Sequence, residues 1–233
     1  MRKFIAVLMS CFSVSAFAAT APAIDFSTIG SPTSFNSTPQ SSATIGGITI
    51  DAFTYFAGNY TPSQLWLRHD GEWGFGVCSE GSLCGPANTA GNGDYNELSN
   101  EHRFEVIRLT LPSNKQWSDL FVSSLDMGGS NGNESGILYW SDSATPVLGS
   151  LSSSTFSHNG LGANYGSIWN QVSPDTNAHY LFFSPDASNG NNNDYLVWGA
   201  NVSPVPEPAT YLTFLAGIGL VSLVIGRRRN FGA

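Results

Sequence analysis

Three loops of the sequence carry acidic and amide side chains of the kind that bind hard cations. Asp94, Asn96 and Glu97 lie within four residues of one another, Asp126 and Glu134 flank a second loop, and residues 186–194 form a third loop with a run of asparagines. Calcium takes six to eight oxygen ligands, including main-chain carbonyls that flexible loops turn inward. The sequence therefore makes calcium the candidate cofactor and the five named residues its candidate ligands. Polar turns on an acidic surface are the favoured interpretation, because none of these loops matches the EF-hand pattern.

Residue patterns typical of enzymes are weak. Residues 128–132 fit the G-x-S-x-G pattern around Ser130, but that motif needs a helix after the serine, and the next two residues are a turn-forming Asn-Gly. Residues 69–70 and 101–102 are adjacent acid–histidine pairs, whose side chains would point to opposite faces of a strand. We therefore expect a non-catalytic protein, with a secreted hydrolase as the less favoured alternative.

One tryptophan is a candidate for binding sugars. Flat aromatic faces stack on sugar rings, and a tryptophan exposed on a sheet face is available for such a contact. Trp66 alternates with Leu65 and Leu67, so it is exposed if those two leucines face the core. The sequence thus offers a lectin-like alternative, in which a calcium-assisted module binds exopolysaccharide.

The last 29 residues of the chain combine three elements in a fixed order. The tetrapeptide at residues 205–208 contains two prolines, which hold it extended and leave it open to a protease groove. Residues 209–226 carry no charge and are about 27 Å long as a helix, which is enough to span a thin bilayer. Three arginines follow and favour the cytoplasmic side. The residues with predicted roles are Val205, Pro206, Glu207 and Pro208 in processing, and Arg227, Arg228 and Arg229 in topology.

This order of elements resembles the PEP-CTERM sorting signal of Gram-negative bacteria, with Pro206, Glu207 and Pro208 as the tripeptide. The resemblance implies recognition by an exosortase, a membrane cysteine protease that cuts near the tripeptide. It also implies an inner-membrane-anchored precursor and a product at the cell surface or in the extracellular matrix of a biofilm. Residues 73–142 resemble a block in many PEP-CTERM ectodomains of unassigned role, which favours a structural or adhesive ectodomain.

The N-terminus has the features of a secretory signal peptide. Arg2 and Lys3 precede an apolar run, and Ala16 and Ala18 form the small-residue site that precedes cleavage. We expect the Sec translocon to export the chain and signal peptidase to cut after Ala18. The predicted organisation is a signal peptide at residues 1–18, a loose arm or edge strand at 19–45, one ectodomain at 46–204 and the sorting signal at 205–233.

The charge of the chain limits the classes of binding partner, and its cysteines indicate the redox state of its compartment. Residues 19–204 hold four basic side chains and sixteen acidic ones, a formal charge of −12. Such a surface repels phosphate backbones, which argues against nucleic acid as a partner. Cys78 and Cys84 remain after signal removal, and an oxidising periplasm predicts a disulfide between them. A C-x5-C pair alone does not supply the four ligands of a structural zinc site.

Short strand patterns dominate the predicted ectodomain. Ile107 and Leu109 alternate with Arg108, as a half-buried strand requires. Asp70-Gly71 predicts a two-residue hairpin turn between two strands. The sequence therefore predicts an all-β fold, an antiparallel and jelly-roll-like β-sandwich, with a β-solenoid as the alternative. The predicted strands are residues 47–55, 64–69, 73–77, 104–111, 120–127, 136–140, 168–172, 179–183 and 195–202.

Overall fold

The computed structural model describes most of the ectodomain as two packed antiparallel sheets. It describes residues 21–31, 35–69, 71–79, 97–100, 103–126, 133–161, 163–189 and 193–205, together with 216 and 218. Its strands are β1 (Ile24–Asp25), β2 (Ser42–Ile45), β3 (Ile48–Phe56), β4 (Asn59–Pro62), β5 (Gln64–His69), β6 (Trp73–Cys78), β7 (Glu105–Thr110), β8 (Lys115–Ser123), β9 (Ser135–Ser141), β10 (Ser153–Ser157), β11 (Gly166–Ser167), β12 (Tyr180–Pro185) and β13 (Leu196–Pro204).

The first sheet has the order β11-β8-β13-β6-β5, with β1 also paired to β13. The second sheet has the order β10-β9-β12-β7-β3-β2, with β4 also paired to β3. All of these pairs are antiparallel. Short 3-10 turns lie at Phe26–Thr28, Leu148–Ser150, His158–Gly160 and Ala187–Asn189. The predicted all-β sandwich is confirmed.

The core between the sheets follows the alternation read from the sequence. Ile107 and Leu109 of β7 are fully buried in it. Arg108 points to the opposite face, where its guanidinium binds the Asp51 carboxylate at 2.8 Å and lies over the Phe53 ring. The buried indole of Trp117 donates its N–H to the Ala178 carbonyl at 2.9 Å, which satisfies the one polar atom that this large side chain brings inside.

The predicted strands differ from the structure in three ways. β8 begins at Lys115 rather than at residue 120, because strand pairing with β13 extends through residues 115–119, of which only Trp117 is apolar. Residues 168–172 form a turn, with Val172 N–H donating to the Ile168 carbonyl, and the adjacent strand is the two-residue β11. β1, β4 and β10 were not predicted, since their residues are mostly polar or too few to show a period.

The N-terminal segment is packed against the sandwich where the structure describes it. β1 pairs with β13, and Phe26 is fully buried in the core. β2 lies at the edge of the second sheet, as the edge-strand alternative for residues 19–45 predicts. The first sheet therefore includes residues that precede the predicted start of the ectodomain at residue 46.

The hairpin predicted at Asp70-Gly71 is present, with one difference. β5 pairs with β6, but the register joins His69 to Trp73 and leaves three residues in the connection instead of two. Gly71 has φ of +114°, a conformation that glycine adopts without strain. β6 ends at Cys78, which is 3% exposed. Cys84 lies outside the described residues, so the disulfide stays a prediction.

Both predicted targeting segments also fall outside the description. The signal peptide with Ala16 and Ala18, residues 206–208 and the arginine cluster are not described, and of the predicted membrane helix only residues 216 and 218 are. Within the described part of the chain, no helix is long and apolar enough to cross a bilayer.

Replacing Gly74 with alanine tests the close approach of β6 to β13. A Cβ at Gly74, where φ is +131°, would lie 2.5 Å from the Val197 carbonyl oxygen, which is backbone and has no room to yield. Gly71→Ala is the matched control, because its φ is also positive but its Cβ would meet nothing within 4 Å. Urea unfolding should show a loss of about 1 kcal/mol for Gly71→Ala and at least about 3 kcal/mol for Gly74→Ala. Equal losses would contradict the packing described.

Candidate functional site

Three predicted cation ligands are brought to one end of the sandwich. Glu97 is 4% exposed; its carbonyl accepts the Val77 N–H of β6 at 3.4 Å, and the N–H of the next residue, Leu98, donates to the Tyr195 carbonyl at 2.8 Å. Its carboxylate is paired with Arg68 and accepts a hydrogen bond from the Ser124 hydroxyl at 3.0 Å. The second carboxylate oxygen of Glu97 is buried and finds no hydrogen-bond donor among the described residues.

Glu134 and Asp126 are joined directly. The Asp126 N–H donates to the Glu134 carboxylate at 2.5 Å, and the Glu134 N–H donates to the Asp126 carbonyl at 3.3 Å. The Asn164 side chain donates to the Asp126 carboxylate at 2.6 Å, which ties the loop before β11 to the same corner. Asp94 and Asn96, the other two predicted ligands, lie outside the described residues.

Asp194 is a further member, and it ends the third acidic loop, residues 186–194, which the sequence also indicated as a cation-binding candidate. A side-chain hydrogen bond joins it to Glu134, and its charge also acts on Glu97. The loop that carries it is fixed by Asn193, which accepts the Ser135 N–H at 2.9 Å and donates to the Asp186 carbonyl at 2.8 Å. We call Glu97, Asp126, Glu134 and Asp194 the carboxylate corner.

Crowding and burial favour protons in this corner. Burial raises the pKa of Glu134 to about 10, and the neighbouring Asp194 carboxylate adds to the rise. Burial likewise raises the pKa of Glu97 well above its usual value, with Asp194 adding to the rise and Arg68 opposing it. At neutral pH, Glu134 therefore holds a proton that it donates to Asp194.

Glu134 and Asp194 do not have the spacing of a glycosidase pair. Hydrolysis of a glycoside needs two carboxyl groups about 5–9.5 Å apart across a cleft, whereas Glu134 and Asp194 are in hydrogen-bond contact. In the described part of the chain, no group of three or more acidic, histidine or cysteine side chains is arranged to hold a metal ion. Calcium binding by the corner stays a prediction.

The expectation that Trp66 is exposed is wrong. Trp66 is only 7% exposed, while Leu65 and Leu67 are also buried, so this part of β5 is covered on both faces. The inference from alternation assumed that one face of the strand meets solvent, which holds for a half-covered sheet only. Trp66 is therefore not available for stacking on a sugar.

Other aromatic side chains form a second cluster on the first sheet. Trp73, Phe121 and Trp198 come from three strands and do not belong to the main core cluster; Phe121 and Trp198 are buried, and Trp73 is half-buried. Tyr165 is 42% exposed and packs at right angles to both Trp73 and Trp198, with ring centroids 5.6 and 5.8 Å apart. The indole N–H of Trp198 donates to the Asp25 carboxylate at 3.1 Å.

Two cavities meet at Tyr165, and we call them together the aromatic groove. One has a volume of about 550 Å³ and is lined by Asp25, Ser27, Thr28, Gly30, His69, Trp73, Tyr165 and Trp198. The other has a volume of about 570 Å³ and is lined by Arg68, Gly71, Glu72, Ser123, Ser124, Ala163, Asn164 and Tyr165. Both volumes fall within the range of small-ligand sites.

Three residues that line the groove also bond to the carboxylate corner. Arg68 lines the groove and is paired with both Glu72 and Glu97. Ser124 and Asn164 also line the groove, and they bond to Glu97 and Asp126 of the corner. Tyr165 gave no signal in the sequence, because it stands alone in a glycine- and asparagine-containing loop that only the fold brings to Trp73.

The stability of the protein should fall as pH rises, because Glu134 and Glu97 bind protons more tightly in the folded state than in the unfolded one. Between pH 5 and pH 9, in the presence of a chelator, we expect a loss on the order of 1–3 kcal/mol, allowing for solvent screening of the half-buried Glu134. Glu134→Gln mimics the protonated form and should reduce that loss, whereas the exposed Asp175→Asn should not. Urea unfolding at several pH values measures this, and an unchanged slope in Glu134→Gln would contradict it.

The described structure follows the chain to the first residue of the predicted processing motif. Pro204 ends β13 opposite Lys115, and Val205 N–H donates to the Asn114 carbonyl at 3.1 Å. Val205 is exposed. Pro206 is therefore only two residues beyond a strand that lies between β8 and β6 in the first sheet.

Comparison with known proteins bears on this end of the chain. No curated protein sequence and no solved structure matches the chain significantly. The family model of the PEP-CTERM protein-sorting motif matches residues 204–229. The motif implies an exported precursor that is anchored in the membrane, processed by an exosortase and sorted to the cell surface. The chain thus carries a PEP-CTERM sorting motif that begins at Pro204, the final residue of strand β13 in the β-sandwich.

Proposed function

We propose that the β-sandwich is the cargo of this sorting signal and acts outside the cell as a non-catalytic structural or adhesive module of the surface or extracellular matrix. The observation that carries the proposal is the matched motif at residues 204–229, which begins at the last residue of β13. With no spacer between domain and tail, the ectodomain stands next to the membrane until the tail is removed.

The non-catalytic role is supported by the arrangement of the acidic residues. Glu134 and Asp194 share a proton instead of facing each other across a cleft, and Glu97 is committed to Arg68 and Ser124. A structural or adhesive role requires a stable sheet surface, and it requires no catalytic side chain. A secreted hydrolase is the less favoured candidate for the same reasons.

Carbohydrate binding is the second candidate function, and the aromatic groove favours it. In this candidate a calcium-assisted, lectin-like ectodomain binds exopolysaccharide. Tyr165 and Trp73 take the place that the sequence analysis gave to Trp66, and the carboxylate corner would hold the cation beside the groove.

Substitution of Pro206, Glu207 and Pro208 by alanine tests the sorting proposal. Export should continue, because the signal peptide is untouched, but the tail should remain attached and the protein should stay in the inner-membrane fraction. Intact-mass measurement and fractionation in a host that makes an exosortase give the readout. Ser203→Ala, just outside the matched residues, is the control and should be processed normally. Unchanged tail removal in the alanine variant would refute the sorting proposal.

A calcium titration tests the predicted cofactor. Extracellular calcium modules bind with Kd of about 0.1–1 mM, so 10 mM calcium at pH 8 should stabilise the purified protein by about 1–3 kcal/mol. Glu134→Gln and Asp194→Asn should abolish the effect, because each removes a carboxylate ligand, and in the case of Glu134 calcium must displace the bound proton. Magnesium at the same concentration controls for ionic strength. Equal stabilisation by magnesium, or full stabilisation of both variants by calcium, would rule out a calcium site in the corner.

A further inference from the structure

We propose that the aromatic groove is an oligosaccharide-binding site for an uncharged glycan, with Tyr165 and Trp73 as its stacking surface. The inference deepens the carbohydrate-binding candidate and rests on it. Carbohydrate binding then has a stated location in the structure and a stated ligand class. Its residues can be tested separately from the sorting signal.

Two aromatic rings, those of Tyr165 and Trp73, provide surfaces on which a sugar can pack. The planes of Trp73 and Trp198 are within 32° of each other, and the Tyr165 ring stands nearly perpendicular to both, at 84° and 88°. Pyranose rings have C–H faces that pack against electron-rich aromatic faces. Tyr165 and the half-buried Trp73 border open volume on the groove, so a sugar has a surface to lie against.

Polar side chains surround these rings. The cavity with Trp73 also holds Asp25, Thr28 and His69, and the adjoining cavity holds Glu72 and Asn164. Carboxylate, hydroxyl, imidazole and amide groups supply both donors and acceptors, which is what a polyhydroxylated ligand requires. An apolar ligand would shield these polar groups from water without offering them hydrogen bonds, at a cost in binding.

The groove is held in place before any ligand arrives. The Ser123 hydroxyl accepts the Trp73 N–H at 3.1 Å and donates to the Trp73 carbonyl at 2.5 Å. Asp25 fixes the Trp198 indole, and the Asn164 carbonyl accepts the Leu125 N–H at 3.0 Å. Such preorganisation reduces the entropy lost on binding.

Charge selects against anionic polymers. Arg68, the guanidinium in the wall of the groove, is already paired with Glu72 and Glu97. Residues 19–204 carry a formal charge of −12, which repels uronic-acid and sulfated polysaccharides. The ligand class that fits is therefore a neutral glycan.

Affinity electrophoresis of the processed protein tests the inference. The gels contain a neutral β-glucan, dextran, galactomannan or, as the anionic comparison, alginate. The wild-type protein should be retarded by at least one neutral polysaccharide. Tyr165→Ala should weaken that binding about tenfold or more, whereas Tyr165→Phe keeps the ring and should stay within about threefold. Phe56→Ala is the matched control, because Phe56 is an aromatic residue that is 83% exposed and does not line the groove.

The possible results distinguish a wrong location for the binding site from a failure of carbohydrate binding altogether. If the wild type is retarded and Tyr165→Ala has no effect, the aromatic groove is not the binding site, although the protein still binds carbohydrate. Retardation by alginate alone would overturn the neutral ligand class. Absence of retardation by every polysaccharide would overturn both. Circular dichroism of the variants distinguishes lost binding from lost folding, and Trp73→Phe provides a second groove variant if Tyr165→Ala does not fold.

Discussion

The close packing of neighbouring backbones around β13 is the constraint on which the rest of the structure depends. A side chain at Gly74 would meet the Val197 carbonyl oxygen at 2.5 Å, and one at Gly199 would meet the Ile24 carbonyl oxygen at the same distance. Glycine at both positions lets β6 and β1 approach β13, while β8 pairs along its other side. The strand is thus enclosed on both sides, and the features near its ends are held at fixed positions.

Those features are the ones to which we assign function. Asp194 precedes β13 and enters the carboxylate corner, Trp198 within the strand supports the aromatic groove, and the sorting motif begins at Pro204. Arg68 connects corner and groove, because it pairs with Glu97 and lines the cavity beside Tyr165. Loss or gain of a proton in the corner therefore changes the charge next to the groove. An extracellular protein experiences such changes in pH and in divalent cations.

The sequence predicted the fold better than the site, for physical reasons. Strands such as β3 and β7 carry apolar residues at every second position, so local patterns were enough to predict them. Short polar strands such as β2 and β10 form because a partner strand pairs with them, and that information lies elsewhere in the chain. The extension of β8 back to Lys115 has the same cause.

The residue types in the sequence identified part of the candidate site, but the sequence pattern did not show which side chains are exposed to solvent. Glu97, Asp126 and Glu134 were selected by their acidic, glycine-rich loops, and the fold places them close together. Burial of Trp66 depends on what covers the outer face of β5, which alternation within the strand does not report. Tyr165 acquires its role only from contacts with Trp73 and Trp198.

We infer that a folded β-sandwich is delivered outside the cell by a membrane anchor that is then removed. Intact-mass and terminal-peptide mass spectrometry of the protein recovered from the cell surface or culture medium tests this delivery. We expect a chain that begins at Ala19 and ends near Pro206–Pro208, without the apolar segment. A surface or secreted product that still carries Arg227–Arg229 would contradict it.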